Sequence, residues 1–203
     1  MLIVVGGHSR NIGKTSVTAG LIAALPHYNW TAMKITQHGH GVCSAAGQPC
    51  DCAIEPTHPY AISEETDPGG RSDSARFLAA GARRSYWLRT AVGQLGNALP
   101  VIRRILESSA YAIFESNSIL QFFRPDLYLV VLDFRVADFK ESALRYLDRA
   151  DAVLAIESGA REPAWSGVAR RLWDSKPRFP AAPPRYVTPE LVAYAERKLT
   201  RVL

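Results

Sequence analysis

Cysteine, lysine and long apolar runs are scarce in this 203-residue chain, and each scarcity excludes something. There are three cysteines, so any disulfide would leave one thiol over, and a cytoplasmic chain has little use for one. No apolar run approaches the ~20 residues of a membrane span. The longest, Leu127 to Leu132, has the length of a strand. Met1 to Val5 carries no basic leader and runs straight into a glycine-bounded loop, so it reads as a strand and not a secretion signal. Cytoplasm is the expected location, with no membrane contact. Lysine supplies only five of the 24 basic residues, so the net charge of +5 is an arginine surplus. The doublets Arg83-Arg84, Arg103-Arg104 and Arg170-Arg171 are scattered without a dominant cluster, as solvated faces are, so nucleic acid is not the expected partner. There is no internal repeat, and the length fits one domain spanning residues 1–203.

What is present begins at the N-terminus. Leu2 to Val5 is an apolar strand, followed by Gly6-Gly7-His8-Ser9-Arg10-Asn11-Ile12-Gly13-Lys14-Thr15-Ser16. Strand, glycine-bounded loop and Gly-Lys-Thr opening a helix is the order of a phosphate-binding loop. Its backbone N–H groups and lysine cradle phosphates at a helix N-terminus. The residues from Gly7 to Ser16 are therefore the expected nucleotide-binding segment. The loop is one residue longer than the common pattern, because His8 stands at the usual first glycine position and Gly7 precedes it.

Strand-like runs alternate with helical patterns along the chain, which predicts an α/β fold: a mostly parallel sheet between two helical layers. Val17 to Leu25 continues the first helix, and Trp30 to Ile35 reads as a second strand. Ser72 to Ala80 reads as a short capped helix and Ser85 to Leu88 as a strand. Leu95 to Glu107 is an amphipathic helix in which Pro100 either disturbs the run or marks a new start. Tyr111 to Phe114, Leu127 to Leu132 and Ala152 to Ile156 read as buried strands. Phe139 to Ala150 and Glu162 to Trp173 read as helices. A proline-rich connector (Pro177, Pro180, Pro183, Pro184) precedes a last helix capped by Thr188. Thr36 to Gly70 has little period and reads as an inserted loop, of a length that is usually functional or disordered.

Lys14 should reach the β- and γ-phosphates and Thr15 should offer a hydroxyl to Mg²⁺. Magnesium also takes one or two carboxylates. Glu115 and Asp133 each follow the C-terminal end of a predicted strand, where ligands of open α/β sheets bind. Glu115 is the preferred candidate. Asp133 serves equally well as a turn cap or an arginine partner.

Several motifs resemble known families. The loop G-H-S-R-N-I-G-K-T-S resembles the longer phosphate loop of dethiobiotin synthetase. Lys34-Ile35-Thr36 is similar to the lysine-bearing end of the second strand in that enzyme. It is also similar to an element of the molybdopterin-guanine dinucleotide biosynthesis adaptor, MobB. Asp67-Pro68-Gly69-Gly70-Arg71-Ser72-Asp73-Ser74-Ala75-Arg76, with Ala80-Gly81-Ala82, resembles the adaptor's signature, and Glu115-Ser116-Asn117 stands where the relatives carry a glutamate and a glycine. The resemblance covers about residues 1–120. It implies a P-loop NTPase that binds ATP or GTP with Mg²⁺, with Lys34 near the γ-phosphate and Asp73 and Glu115 near the metal. It also implies a protein partner in cofactor biosynthesis. Asp73 reads equally as a helix cap and Lys34 as a surface lysine, and a homodimer stays open. The later strands carry no Asn-Lys-x-Asp tetrad, so the base stays open as well.

His38, His40, Cys43, Cys50, Cys52 and His58 crowd soft ligands into one loop. Such a set can hold Zn²⁺ or an iron–sulfur cluster, although Cys43-x6-Cys50-x-Cys52 is not a common zinc spacing. Free thiols on a lid are the alternative. Three functions follow: a MobB-like NTPase, a ligase of the dethiobiotin synthetase type, and a metal-binding nucleotide switch with a protein partner.

Overall fold

In the computed structural model, residues 1–38, 59–157, 159–160 and 162–200 are described. Their strands are β1 (Leu2–Gly7), β2 (Thr31–His38), β3 (Tyr60–Glu64), β4 (Arg84–Ala91), β5 (Ala112–Glu115), β6 (Leu127–Leu132), β7 (Ala152–Ile156) and β8 (Arg178–Ala181). The helices are α1 (Lys14–Ala24), α2 (Asp73–Ala79), α3 (Leu99–Glu107), α4 (Glu141–Leu144) and α5 (Pro189–Thr200). The strands form one sheet in the order β3-β4-β2-β5-β1-β6-β7-β8. Every neighbouring pair is parallel except β3 with β4.

Side-chain alternation along β1 builds two cores. Leu2 and Val4 face a layer containing Ile102 and Ile105 of α3 together with Trp165 and Trp173. Ile3 and Val5 face Val17 and Leu21 of α1, Phe77 of α2 and Leu191 of α5. Both β1 and β6 are buried along their whole length, as strands covered on both faces must be. This is the three-layer α/β architecture expected from the alternation. Helix α1 presents Val17, Thr18, Leu21 and Ile22 as a single buried stripe. Helix α2 is capped by Ser72, whose hydroxyl accepts from Ala75 N–H at 2.9 Å.

Four expectations are corrected. Phe139 to Ala150 is not one helix. The Asp138 carbonyl and the Lys140 N–H are both engaged by His8, which holds Lys140 extended, so only the four residues of α4 and a 3-10 turn at Leu147–Arg149 follow. Glu162 to Trp173 is not a helix either. Gly167 has φ +77° there, and the Ala164 N–H bonds the Phe134 carbonyl at 2.7 Å, so the helical ladder gives way to packing of Trp165 on Phe134. Within Thr36 to Gly70, β2 extends to His38 and the edge strand β3 appears. The proline-rich connector contains β8, whose edge position lets Pro180 lack an N–H without breaking an inner ladder. Pro100 does mark a new start: a 3-10 turn over Leu95–Ala98 precedes α3, and the proline sits in its first turn.

Candidate functional site

The turn from β1 into α1 lies at the C-terminal end of the central strand. Gly7 donates its N–H to Asn117 Oδ1 at 2.9 Å and accepts from Asn117 Nδ2 at 2.9 Å, which pins the start of the loop to the segment after β5. A side chain at Gly7 would lie 2.8 Å from Lys14 Cδ and 2.9 Å from Ile12 Cδ1. Gly13 closes the loop at φ +90°, a backbone that favours glycine. The first N–H groups of α1 follow with no side-chain cap, so they are available to an anion.

Lys14 folds back and donates to the Ser9 carbonyl. Burial lowers its pKa to about 8; Glu115 opposes the shift, while the charges of Lys140 and Lys34 add to it.

On one side of the loop, four groups expected to act together are brought together. Glu115 is 2% exposed and accepts from Thr15 Oγ1 at 2.8 Å through Oε2. Its Oε1 accepts from Lys34 Nζ, which also pairs with Asp73 Oδ2 at 2.8 Å. Burial works against the Lys34 charge, but the Glu115 and Asp73 carboxylates outweigh it and raise the lysine's pKa. Arg76 links α2 to α1 by donating to Ser16 Oγ at 3.0 Å.

On the other side, His8 points into the protein and lines no cradle. It is fully buried, its Nε2 accepts from the Asp133 N–H at 3.0 Å, and its Nδ1 therefore donates to the Asp138 carbonyl at 2.9 Å. The ring packs 5.1 Å from Phe139 and 4.7 Å from Trp165, centroid to centroid. Burial pushes its pKa down, so the neutral imidazole suits the site. Ser9 Oγ donates to Asp138 Oδ2 at 2.6 Å, and the His8 carbonyl accepts from the Lys140 N–H at 2.8 Å.

Asp133 stands apart from the carboxylate cluster. Its Oδ1 accepts from the Arg135 N–H at 3.0 Å and pairs with that guanidinium at 3.8 Å, the turn-cap and arginine-partner role. Arg10 and Asn11 are exposed at the loop tip, with Asn11 at φ +55°, and Ile12 is buried. Sequence reasoning gave no role to Asn117, Asp138 or Tyr186. The Tyr186 ring lies against Gly13, close enough that a Cβ there would meet Cε1 at 2.4 Å. None of the three carried a local signal, since each reaches the loop from a distant segment. Lys140 did carry one, as one of only five lysines.

The donor set at Thr15, Glu115 and Asp73 is all oxygen, the chemistry Mg²⁺ prefers. Among the described residues, no group of three or more His, Cys, Asp or Glu would hold a metal alone. For Zn²⁺ or an iron–sulfur cluster, His40, Cys43, Cys50, Cys52 and His58 lie outside the described residues; His38 ends β2.

Fold and loop together define a three-layer α/β protein whose central strand turns through a glycine-bounded loop into a helix. No family model matches the chain, and no curated protein matches it. Among solved structures it is similar to HypB from Helicobacter pylori in complex with nickel, at 14% identity and a TM-score of 0.49, over 98% of this chain and 85% of that one. It is also similar to LpxK from Aquifex aeolicus in complex with ATP, at 17% identity and TM-score 0.48, over 88% of this chain and 53% of that one. A third likeness is to the MinC:MinD cell division protein complex from Aquifex aeolicus, at 15% identity and TM-score 0.42, over 97% of this chain and 86% of that one. Among the described residues, no helix is long and apolar enough to cross a membrane.

Proposed function

We propose that this chain is a Mg²⁺-dependent nucleoside triphosphatase of the MobB-like kind, acting with a protein partner in molybdopterin-type cofactor biosynthesis. The observation that carries the nucleotide reading is the linked set Thr15–Glu115–Lys34–Asp73 at the N-terminus of α1. The MobB assignment adds the resemblance of residues 67–82 to that family's signature.

The residues divide the work. Within the loop from Gly7 to Ser16, the Gly7 and His8 N–H groups are committed to Asn117 and Val131, and the N–H groups that follow them and the Lys14 ammonium hold the phosphates, with the α1 dipole in support. Thr15 and Glu115, now joined by a hydrogen bond, and Asp73 would hold the metal through a hydroxyl and carboxylate oxygens, directly or through its waters. Bound Mg²⁺ supplies charge neutralisation on the terminal phosphates. Lys34, held between Glu115 and Asp73, would donate to the γ-phosphate oxygens, where charge spreads during transfer.

The test is calorimetric titration with Mg·AMP-PNP and Mg·GMP-PNP. The wild type is expected to bind at least one. Lys14→Ala is expected to weaken binding roughly a hundredfold, about 2.8 kcal/mol. Unchanged affinity in that variant ends the phosphate-site assignment. A second reading, an ATP-dependent ligase of the dethiobiotin synthetase type, is favoured by the polar sheet face that continues outward from Lys34. The switch reading rests on the Cys43, Cys50 and Cys52 thiols.

A further inference from the structure

Of the five lysines in the chain, four have an evident use for the ammonium. Lys14 donates to the Ser9 carbonyl and Lys34 to Glu115, with Asp73 as a second partner. Lys176 donates to the Asp148 and Ala150 carbonyls at 2.7 Å each, and Lys198 pairs with Asp151 at 3.0 Å. Lys140 is the exception: among the described residues, its ammonium has no acceptor. The carboxylates around it are taken. Asp138 accepts from Ser9 Oγ, and Asp133 from the Arg135 N–H. Glu141 pairs with Arg145 at 2.6 Å, and Glu115 serves Thr15 and Lys34.

Lys140 does not hang free of the loop between β1 and α1. Strand β6 neighbours β1, so the connection from β6 to α4 leaves the sheet at the same end as that loop. The Lys140 N–H donates to the His8 carbonyl at 2.8 Å, and the Asp138 carbonyl takes the 2.9 Å bond from His8 Nδ1. Ser9 Oγ adds its 2.6 Å bond to Asp138 Oδ2, and between these contacts the Phe139 ring packs 5.3 Å from Trp165. Residues 138–140 are thereby stapled to the first turn of the loop, with Lys140 half-buried beside it. Burial pushes its pKa down, Arg10 and Lys34 add to the shift, and Asp138 and Glu115 oppose it. The Lys140 charge bears in turn on Lys14. Four cations are gathered at one loop.

We propose that Lys140 is a ligand of the terminal phosphate, supplied from outside the phosphate loop, and that it distinguishes a nucleoside triphosphate from a diphosphate. The inference rests on the nucleotide reading above and deepens it by naming the group that reads the third phosphate. Three arguments converge. An unpaired, half-buried ammonium among other cations is relieved by an anion, and the neighbouring carboxylates are engaged elsewhere. Position then selects the phosphate. Lys14 spans the β- and γ-phosphates in a loop of this kind, and Lys34 with Glu115 lies toward the γ end. A cation that bears on all three faces that end as well. Last, the Lys140 backbone is fixed on the packed flank, so its charge is in place before a nucleotide arrives. Lys34 differs, because two carboxylates compete for it.

The test is calorimetric titration of the full chain with Mg·AMP-PNP and Mg·ADP, and with Mg·GMP-PNP and Mg·GDP. Lys140→Gln is expected to weaken the triphosphate analogue roughly tenfold and the diphosphate by less than about threefold, because only the contact to the third phosphate is lost. Lys140→Arg keeps the charge and is expected to recover part of the loss. Diphosphate affinity close to that of the wild type reports that each variant is folded with its loop intact. Equal losses for both nucleotides would make Lys140 a general contributor to the field at the loop. No loss for either would make it a solvated surface lysine. Each of these results overturns the proposal while the phosphate site stands. Failure of the wild type to bind any of the four nucleotides overturns the reading beneath it.

Discussion

The loop between β1 and α1 is gripped from two sides by different means. Toward β6, His8 sits in an aromatic box with Phe139 and Trp165, and both ring nitrogens are used on backbone groups. Toward β5 and β2, Thr15, Glu115, Lys34 and Asp73 form a chain of charged contacts at the sheet's edge with solvent, with Asp73 38% exposed. The first side has a single low-energy arrangement, because a packed imidazole has nowhere else to satisfy its bonds. The second can trade partners, because a metal ion or a phosphate replaces a carboxylate or a lysine contact at little net cost. Packing on one flank thus fixes the loop, while the ion pairs on the other leave its partners exchangeable.

The contrast is breakable. The largest expected effect is on the packed side. His8→Ala removes the ring from a sealed box and strands the Asp133 N–H and the Asp138 carbonyl, lowering unfolding free energy by about 3–4 kcal/mol. Urea denaturation measures it, and a loss below about 1 kcal/mol would mean that the box does not anchor the loop.

On the exchangeable side, Glu115→Ala deprives Lys34 of its buried partner while Asp73 remains, for a loss of about 2–3 kcal/mol in the same experiment. Adding Mg·AMP-PNP is expected to stabilise His8→Ala more than Glu115→Ala, because only the second variant has lost a metal-side group. The reverse order would show that the two flanks do not divide the work in this way.

The smallest effect is a pH dependence. His8 has a folded-state pKa below its ordinary value of 6.5, mainly through burial. Above that value both folded and unfolded chains hold it neutral, and it contributes no slope. As pH falls below it, the unfolded chain takes up a proton that the folded chain refuses, so stability declines until the folded pKa is reached. Urea midpoints at pH 5.0 and 7.5 should differ less in His8→Gln than in the wild type. An unchanged difference would place the acid sensitivity elsewhere.

Much of the architecture was legible because it was local. The alternation of apolar strands with helices gave the layer order, and Ser72 and Thr188 marked helix starts by needs that their immediate neighbours satisfy. Expectations failed where distant groups overrode local preference. Residues 139–150 carry a helical pattern, yet His8 takes the backbone groups that a helix would have started from. Residues 162–173 carry one too, yet Trp165 and Trp173 gain more by closing over Phe134. The strand in the proline-rich connector was hidden because proline argues against a strand unless the strand is at an edge, and edges are defined only by the whole sheet.

By itself, then, the sequence determined the strand–loop–helix that opens the chain, since Gly13, Lys14 and the flanking apolar residues meet its requirements within a dozen positions. It also singled out Lys34, Asp73 and Glu115 as residues worth following. Only the tertiary structure decided that Glu115 meets Thr15 from 100 positions away, and that Asp73 and Glu115 share one lysine. The same holds for His8, which reaches across 130 positions to leave the loop and become its anchor. Backbone dihedrals and hydrogen-bond needs are written in neighbouring residues. Which distant side chains share a buried space is settled by how the strands are ordered in the sheet.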